Sequence, residues 1–372
     1  MSNSRSGVLP SQHLRALIAE GRIAAHDGAN GPAPFDADQV QPASLDLRLG
    51  RRAWRVRASF LAGATRTVAQ RIADFAMHEI DLGPRDGPGA VLETGCVYVV
   101  ELMERLALPG DVSGAANAKS STGRLDLFTR VIADNGVEFD RVPAGYDGPL
   151  YAEISPRTFS VLARAGARLA QLRLRRGAPG FSDRDLGALH RAAHLVDGEA
   201  LIDGGLAFSV DLEPRADRPV GWRARRHSGL IDLDKLSHYD PAEFWDAMSP
   251  ARGGGIILDP GAFYILVSRE SVHVPPDCAA EMAPYMAVAG EFRVHYAGFF
   301  DPGFGHSAAG GAGSRAVLEV RCFEAPFALE HGQVVGRLVY EPMLETPDIL
   351  YGQGIGSTYQ AQGLRLSKHF RT

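Results

Sequence analysis

Residues Lys119-Ser120-Ser121-Thr122-Gly123-Arg124 place two cations around three hydroxyls and a glycine. Phosphate oxygens are satisfied by that mixture: Lys and Arg supply charge-assisted bonds, while hydroxyls and backbone N–H groups fill the remaining acceptors. The run is not a Walker loop, because Ser113 and Ala118 stand where that pattern requires glycine. A solvated polar loop has the same composition, so spacing alone leaves phosphate binding open.

Two carboxylates are the next candidates. Glu153 follows Tyr151-Ala152, and Glu319 lies within Val317-Leu318-Glu319-Val320, so each sits in an apolar strand. Burial raises a carboxyl pKa and makes it usable as base and acid near neutrality. The competing possibility is a Glu pointing outward from a half-buried strand. Each Glu closes a hairpin, one holding Ala133 and Asp140, the other His295 to Gly305 with Asp301. Asp46 and Asp211, each in a Ser-apolar-Asp-Leu frame, read as structural aspartates that bond turn amides. The tail Tyr351 to Gly363 mixes glycines with Tyr351, Thr358, Tyr359 and Gln362, which suits either a lid over a polar ligand or a disordered terminus. Arg51, Arg55 and Arg57 share one face of an alternating strand and read as a solvated face. Neither the zinc-deaminase pattern, a GxSxG elbow nor an HExxH helix is present.

The elements that must position these groups recur. Leu92 to Val99 lines up with Leu258 to Ile265 at an offset of 166, which also pairs Glu153 with Glu319, Gly166 with Gly332 and Leu172 with Leu338. Such a register indicates two copies of one β-rich unit. Short apolar runs cut by Gly, Pro and Asp predict an antiparallel barrel or sandwich from Val91 to Leu174 and a second from Leu201 to Met343. Helices are expected over 11–20, 183–193 and about 241–248, the last within an insertion spanning 214–250. The boundaries are therefore residues 1–175 for the first copy, 176–200 for a connecting segment, 201–345 for the second copy and 346–372 for the tail. At 372 residues, two cores suit the length. The net charge of −5 argues against a general nucleic-acid binder. No apolar run nears the roughly 18 residues of a membrane span, and residues 1–7 do not open a signal peptide. Cys96, Cys278 and Cys322 show no CxxC spacing and read as free thiols of a cytoplasmic protein, with no metal site.

Four blocks together resemble the metal-independent dCTP deaminases of the trimeric dUTPase superfamily, in their long tandem form. They are Pro42-Ala43-Ser44-Leu45-Asp46-Leu47-Arg48-Leu49-Gly50, the run from Lys119 to Arg124, the hairpin strand with its Glu, and the tail with Tyr351, Tyr359 and Gln362. The resemblance implies a mainly β chain: two tandem dUTPase-like barrels with a few peripheral helices, assembled as a homotrimer. It implies conversion of dCTP and water to dUTP and ammonia, with Mg²⁺ only as the partner of the triphosphate. Under it Glu153 is the base and acid, with Glu319 as competing candidate. Ser120 assists near the base, Arg124 matches a family arginine, and Lys119 replaces an arginine. The backbone of Ala133 positions water, and Asp140, with Asp301 as its counterpart, faces the sugar. Tyr351 and Gln362 cover the triphosphate. Thr358 replaces the family's tail lysine, which puts the closing contact to the phosphates in question.

Glu153 is preferred because the phosphate loop lies in its own copy, whereas the second copy reads Ala283-Pro284-Tyr285-Met286-Ala287-Val288 there. Family sites form between neighbouring barrels, so a loop from one copy serving the hairpin of the other remains open. Tyr146 and Asp147 keep a dUTP pyrophosphatase, or a bifunctional deaminase–pyrophosphatase, in view. A non-catalytic nucleotide-binding module is the other alternative.

Overall fold

The computed structural model describes residues 6–28, 31–251, 254–284, 292–295, 298–353 and 362–372. The chain is mainly β, with 42% strand against 12% helix, and contains a nearly closed barrel sheet. That sheet runs, in order, through Leu127–Ala133, Asp147–Pro156, Val97–Ala107, Leu45–Val56, Arg168–Arg176, Val112–Ala118 and Arg141–Val142. All of these neighbours are antiparallel. Strand Val97–Ala107 shows the alternation expected of a half-buried strand. Leu45–Val56 instead opens with six buried residues in a row. Its polar members are buried because they are paired: Arg48 Nε donates to Glu104 Oε1 at 2.8 Å, and Gln39 Nε2 to the same oxygen at 2.7 Å.

The second unit repeats the first. Phe263–Val272 pairs with Ser314–Cys322 as Val97–Ala107 pairs with Asp147–Pro156, and Cys278–Pro284 pairs with Val334–Pro342 as Val112–Ala118 pairs with Arg168–Arg176. The register survives to the residue: Glu153 stands opposite Val99, and Glu319 opposite Ile265. The repeated glycines have a backbone reason. Gly166 and Gly332 adopt φ of +86° and +79°, a region that side chains disfavour.

The helices Ser11–Ala19 and Asp183–Ala193 form where expected. The helix expected over 241–248 does not. Asp240 caps a short helix, Pro241–Phe244, and Trp245–Met248 continues as a strand against Gly221–Ala224. Consecutive Phe244 and Trp245 are both buried. Pairing of an aromatic β-former with an available edge outweighs continued helix there. A helix at Val68–Phe75 carries a capping box from Thr67 and Gln70 and has no counterpart among the expected elements.

The two copies share a core. The largest apolar cluster combines the first barrel with Phe263, Ile265, Val267 and Val317 of the second, and with Phe244 and Trp245 of the insertion. Phe370 closes it, its ring centroid 5.4 Å from Phe244 and 5.8 Å from Trp245 in edge-on contacts. Such pairs add roughly 0.5–1.5 kcal/mol each beyond burial. Ile231–Asp232 of the insertion pairs in parallel with Val161–Ala163, and Arg164 Nη1 donates to Asp232 Oδ1 at 2.7 Å. The insertion is thereby joined to the opposite copy. Among the described residues no helix is long and apolar enough to cross a membrane, and the three cysteines are free thiols.

Candidate active site

The phosphate loop is one helical turn between strands. Lys119 N donates to Leu169 O at 2.9 Å, which fixes the loop to the barrel, and Lys119 O accepts from Thr122 N and Gly123 N at 2.8 and 2.9 Å. Lys119, Ser120, Ser121, Thr122 and Arg124 line a cavity of about 570 Å³, while Gly123 packs behind them. Lys119 pairs with Asp46, and Arg168 Nη2 with Asp36 at 2.5 Å and Asp38 at 2.8 Å. Asp46 therefore serves the cations of the cavity rather than turn amides. Asp211 does accept from Glu213 N at 3.1 Å, as expected, and also binds Arg218 and Arg315.

The opposite wall comes from the second copy. Glu319 and Asp301 both line the cavity. Arg124, buried at the end of the first-copy loop, places Nε 3.7 Å from Glu319 Oε1. Burial pushes the Glu319 carboxyl up to about 8, against the opposing pull of Arg124. Asp301 is held by Arg173 of the first barrel at 3.0 Å, and Arg173 Nη1 also donates to Ala280 O at 2.9 Å. Burial raises the Asp301 pKa, and Arg173 opposes the shift.

The first-copy hairpin is elsewhere. Ala133, Asp140 and Glu153 do not line the cavity. Glu153 is buried against Arg130, whose Nη2 lies 2.5 Å from Oε1. The Arg130 guanidinium in turn stacks 3.5 Å above the centre of the Phe139 ring. Asp140 accepts from Val131 N at 2.7 Å, and burial raises its carboxyl to about 7. Glu153, preferred from the sequence, thus sits beside Arg130 and outside the cavity that the Lys119-to-Arg124 loop lines. Arg130 is its strand partner, whereas Glu319 has His295 opposite it.

The tail reaches the cavity from both ends. Tyr351 N donates to Pro302 O at 2.8 Å, and its ring lies 5.6 Å from Phe304. Gln362 accepts from Arg124 Nη2 at 2.9 Å and donates to Arg315 O at 3.2 Å. Thr358 and Tyr359 lie outside the described residues, as does most of the second-copy segment 283–288. Several lining residues have no counterpart among the sequence candidates: Asp36, Asp38, Arg168, Leu233 and Asp234 of the walls, and Lys368 and His369 of the tail. The rarity of lysine was a usable signal, since the chain has only Lys119, Lys235 and Lys368.

Residues 5–178 match the family model for the 2′-deoxycytidine 5′-triphosphate deaminase N-terminal domain, and residues 182–370 match that for its C-terminal domain. The chain belongs to the 2′-deoxycytidine 5′-triphosphate deaminase family. A crystal structure of 2′-deoxycytidine 5′-triphosphate deaminase from Agrobacterium tumefaciens is similar at 54% identity and a TM-score of 0.85, covering 92% of this chain and 99% of that one. Shorter relatives include a "dCTP deaminase, dUMP-forming" from Mycolicibacterium vanbaalenii, 30% identical over 40% of this chain and 68% of the relative. One of the same description from Rhodococcus jostii is 31% identical over 40% and 69%. The family match spans both copies, so this is the long tandem form of the deaminase.

Proposed function

We propose that this chain deaminates dCTP to dUTP and ammonia at the cavity between its own two copies, with Glu319 as base and acid. The observation that carries the assignment is the pairing within one chain. The Lys119-to-Arg124 loop of the first copy and the Glu319 carboxyl of the second face one space, with Arg124 3.7 Å from Glu319.

The ionised Glu319 takes a proton from water, and the resulting hydroxide adds to C4 of the cytosine. The carboxyl gives that proton to ring N3, then takes the remaining proton from the C4 hydroxyl and gives it to the amine, so that C–N cleavage releases ammonia and leaves the C4 carbonyl. A near-neutral pKa suits a group that must both accept and return a proton. Arg124 stabilises the ionised form, and Ser120 lies on the same wall to orient the base. In this reading Asp301 meets the sugar, and Lys119, Ser121 and Thr122, which line the same cavity, meet the phosphates. Among the described residues no three His, Cys, Asp or Glu side chains are arranged to hold a metal. In this reading Mg²⁺ arrives with the substrate as its triphosphate complex. A homotrimer in the cytoplasm is the setting this reading adopts.

Purified wild type, Glu319→Gln and Glu153→Gln are compared with dCTP, reading ammonia, dUTP and pyrophosphate. Wild type should yield ammonia and dUTP without pyrophosphate. Glu319→Gln should lose roughly 10²–10⁴-fold in kcat, the usual worth of a general acid–base, and Glu153→Gln should remain active. Activity lost with Glu153→Gln and kept with Glu319→Gln would reverse the assignment, and pyrophosphate release would establish a bifunctional enzyme.

A further inference from the structure

Resting on that reading, we propose that Lys368 binds the outer phosphates of the dCTP triphosphate, supplying from the end of the tail the positive charge that Thr358 does not. Lys368 lines the cavity, six residues beyond Gln362. Its backbone is fixed from both sides. Ser367 Oγ lies 2.8 Å from the carbonyl of Ser121, inside the phosphate loop, and 2.9 Å from His369 Nδ1. His369 Nε2 lies 3.1 Å from Leu233 O, and Ser237 N donates to Lys368 O at 2.9 Å. Phe370, next along, is locked in the shared aromatic core. The backbone that carries Lys368 is therefore held against the loop and the insertion.

Lys119 is engaged by Asp46, and Arg168 by Asp36 and Asp38. A multiply charged triphosphate arriving there meets carboxylates as well as cations. Lys119, Asp46, Arg168 and Asp38, which line the same cavity, are among the charged groups that act on Lys368. In the proposed pose the pyrimidine lies against Glu319 and the phosphates lie among these groups. Burial and the neighbouring Lys119 hold the Lys368 pKa below the usual lysine range. A bound anion relieves that repulsion.

The test uses inorganic tripolyphosphate, dCTP and 2′-deoxycytidine on the full chain. Lys368→Gln should raise the tripolyphosphate inhibition constant and the dCTP KM about tenfold or more. In that variant kcat should stay within about twofold and 2′-deoxycytidine binding should be unchanged, because one charge-assisted bond is lost at a site away from the ring. Lys368→Arg should stay near wild type. Unchanged constants, or an equal loss for 2′-deoxycytidine, overturn the proposal. A second measurement needs no variant. With three lysines in the chain, amine acetylation of wild type can be read residue by residue, with exposed Lys235 as control. Tripolyphosphate should shield Lys368 and leave Lys235 reactive, and an unshielded Lys368 overturns the proposal. Wild type that fails to release ammonia from dCTP would instead defeat the deaminase reading, whatever the tripolyphosphate results.

Discussion

Glu153 and Glu319 occupy one position of a repeated strand, and a single neighbour separates their chemistry. Arg130 lies 2.5 Å from Glu153, while Glu319 is buried with Arg124 at 3.7 Å and its carboxyl rises to about 8. Because the ionised form must accept the proton from water, kcat/KM should fall as pH drops below about 8, approaching tenfold per pH unit. An acid limb near the ordinary value of 4.5 for Glu would count against Glu319. Stability runs the other way. A raised carboxyl pKa contributes stability that is fully present below 4.5 and lost as pH rises to about 8. Glu319→Gln lacks that dependence, so its melting temperature should gain on wild type between pH 5 and pH 9 if this one group dominates the difference, a pair of melts checks it. Both glutamates were visible in the sequence, as were the loop, Asp301, Tyr351 and Gln362. The choice between the glutamates was not, because Arg130 faces Glu153 only through strand register and Arg124 faces Glu319 only through the packing of one copy on the other.

Among the elements, the strand Ser314–Cys322 and the turn after the phosphate loop are fastened together. Arg321, two residues beyond Glu319, donates through Nε to Asp126 Oδ1 at 3.0 Å and through Nη2 to Thr158 Oγ1 at 3.1 Å. Asp126 follows Arg124 by two residues and is buried at a φ of +53°. One fork thus ties the loop to the strand that carries Glu319. Breaking a buried pair from one side costs roughly 3–5 kcal/mol. Asp126→Asn should therefore lower the denaturation midpoint strongly, and Arg321→Met on that background should recover part of the loss. Additive losses in this double-mutant cycle would show that the pair is not coupled. Alternating apolar residues made the strands legible, and one-sided apolar spacing did the same for Ser11–Ala19. The insertion was legible only as an insertion. Its pairing with Val161–Ala163 and the break at Trp245 depend on edges and aromatic partners that no local pattern specifies.

At the scale of the molecule, one cavity is lined by residues from both copies of a single chain. The internal offset made the tandem barrels readable, and it also favoured Glu153, since a loop and a glutamate in one copy look like one site until the copies are packed. Three contacts argue that the division is intramolecular: Arg124 with Glu319, Arg173 with Asp301 and Ser367 with Ser121, the last two at 3.0 and 2.8 Å. If each chain completes its own site, then an oligomer mixed from Arg124→Ala and Glu319→Gln chains contains no intact site. Every chain lacks either its loop arginine or its base. If loop and base came from different chains, a fraction of sites in the same mixture would combine the two unaltered halves. Co-expression with two affinity tags, sequential purification of the mixed species and a dCTP ammonia assay distinguish the cases. The expected activity is no higher than that of the better single variant. A clear gain over both would place the working interface between chains and move the catalytic pairing out of the single polypeptide.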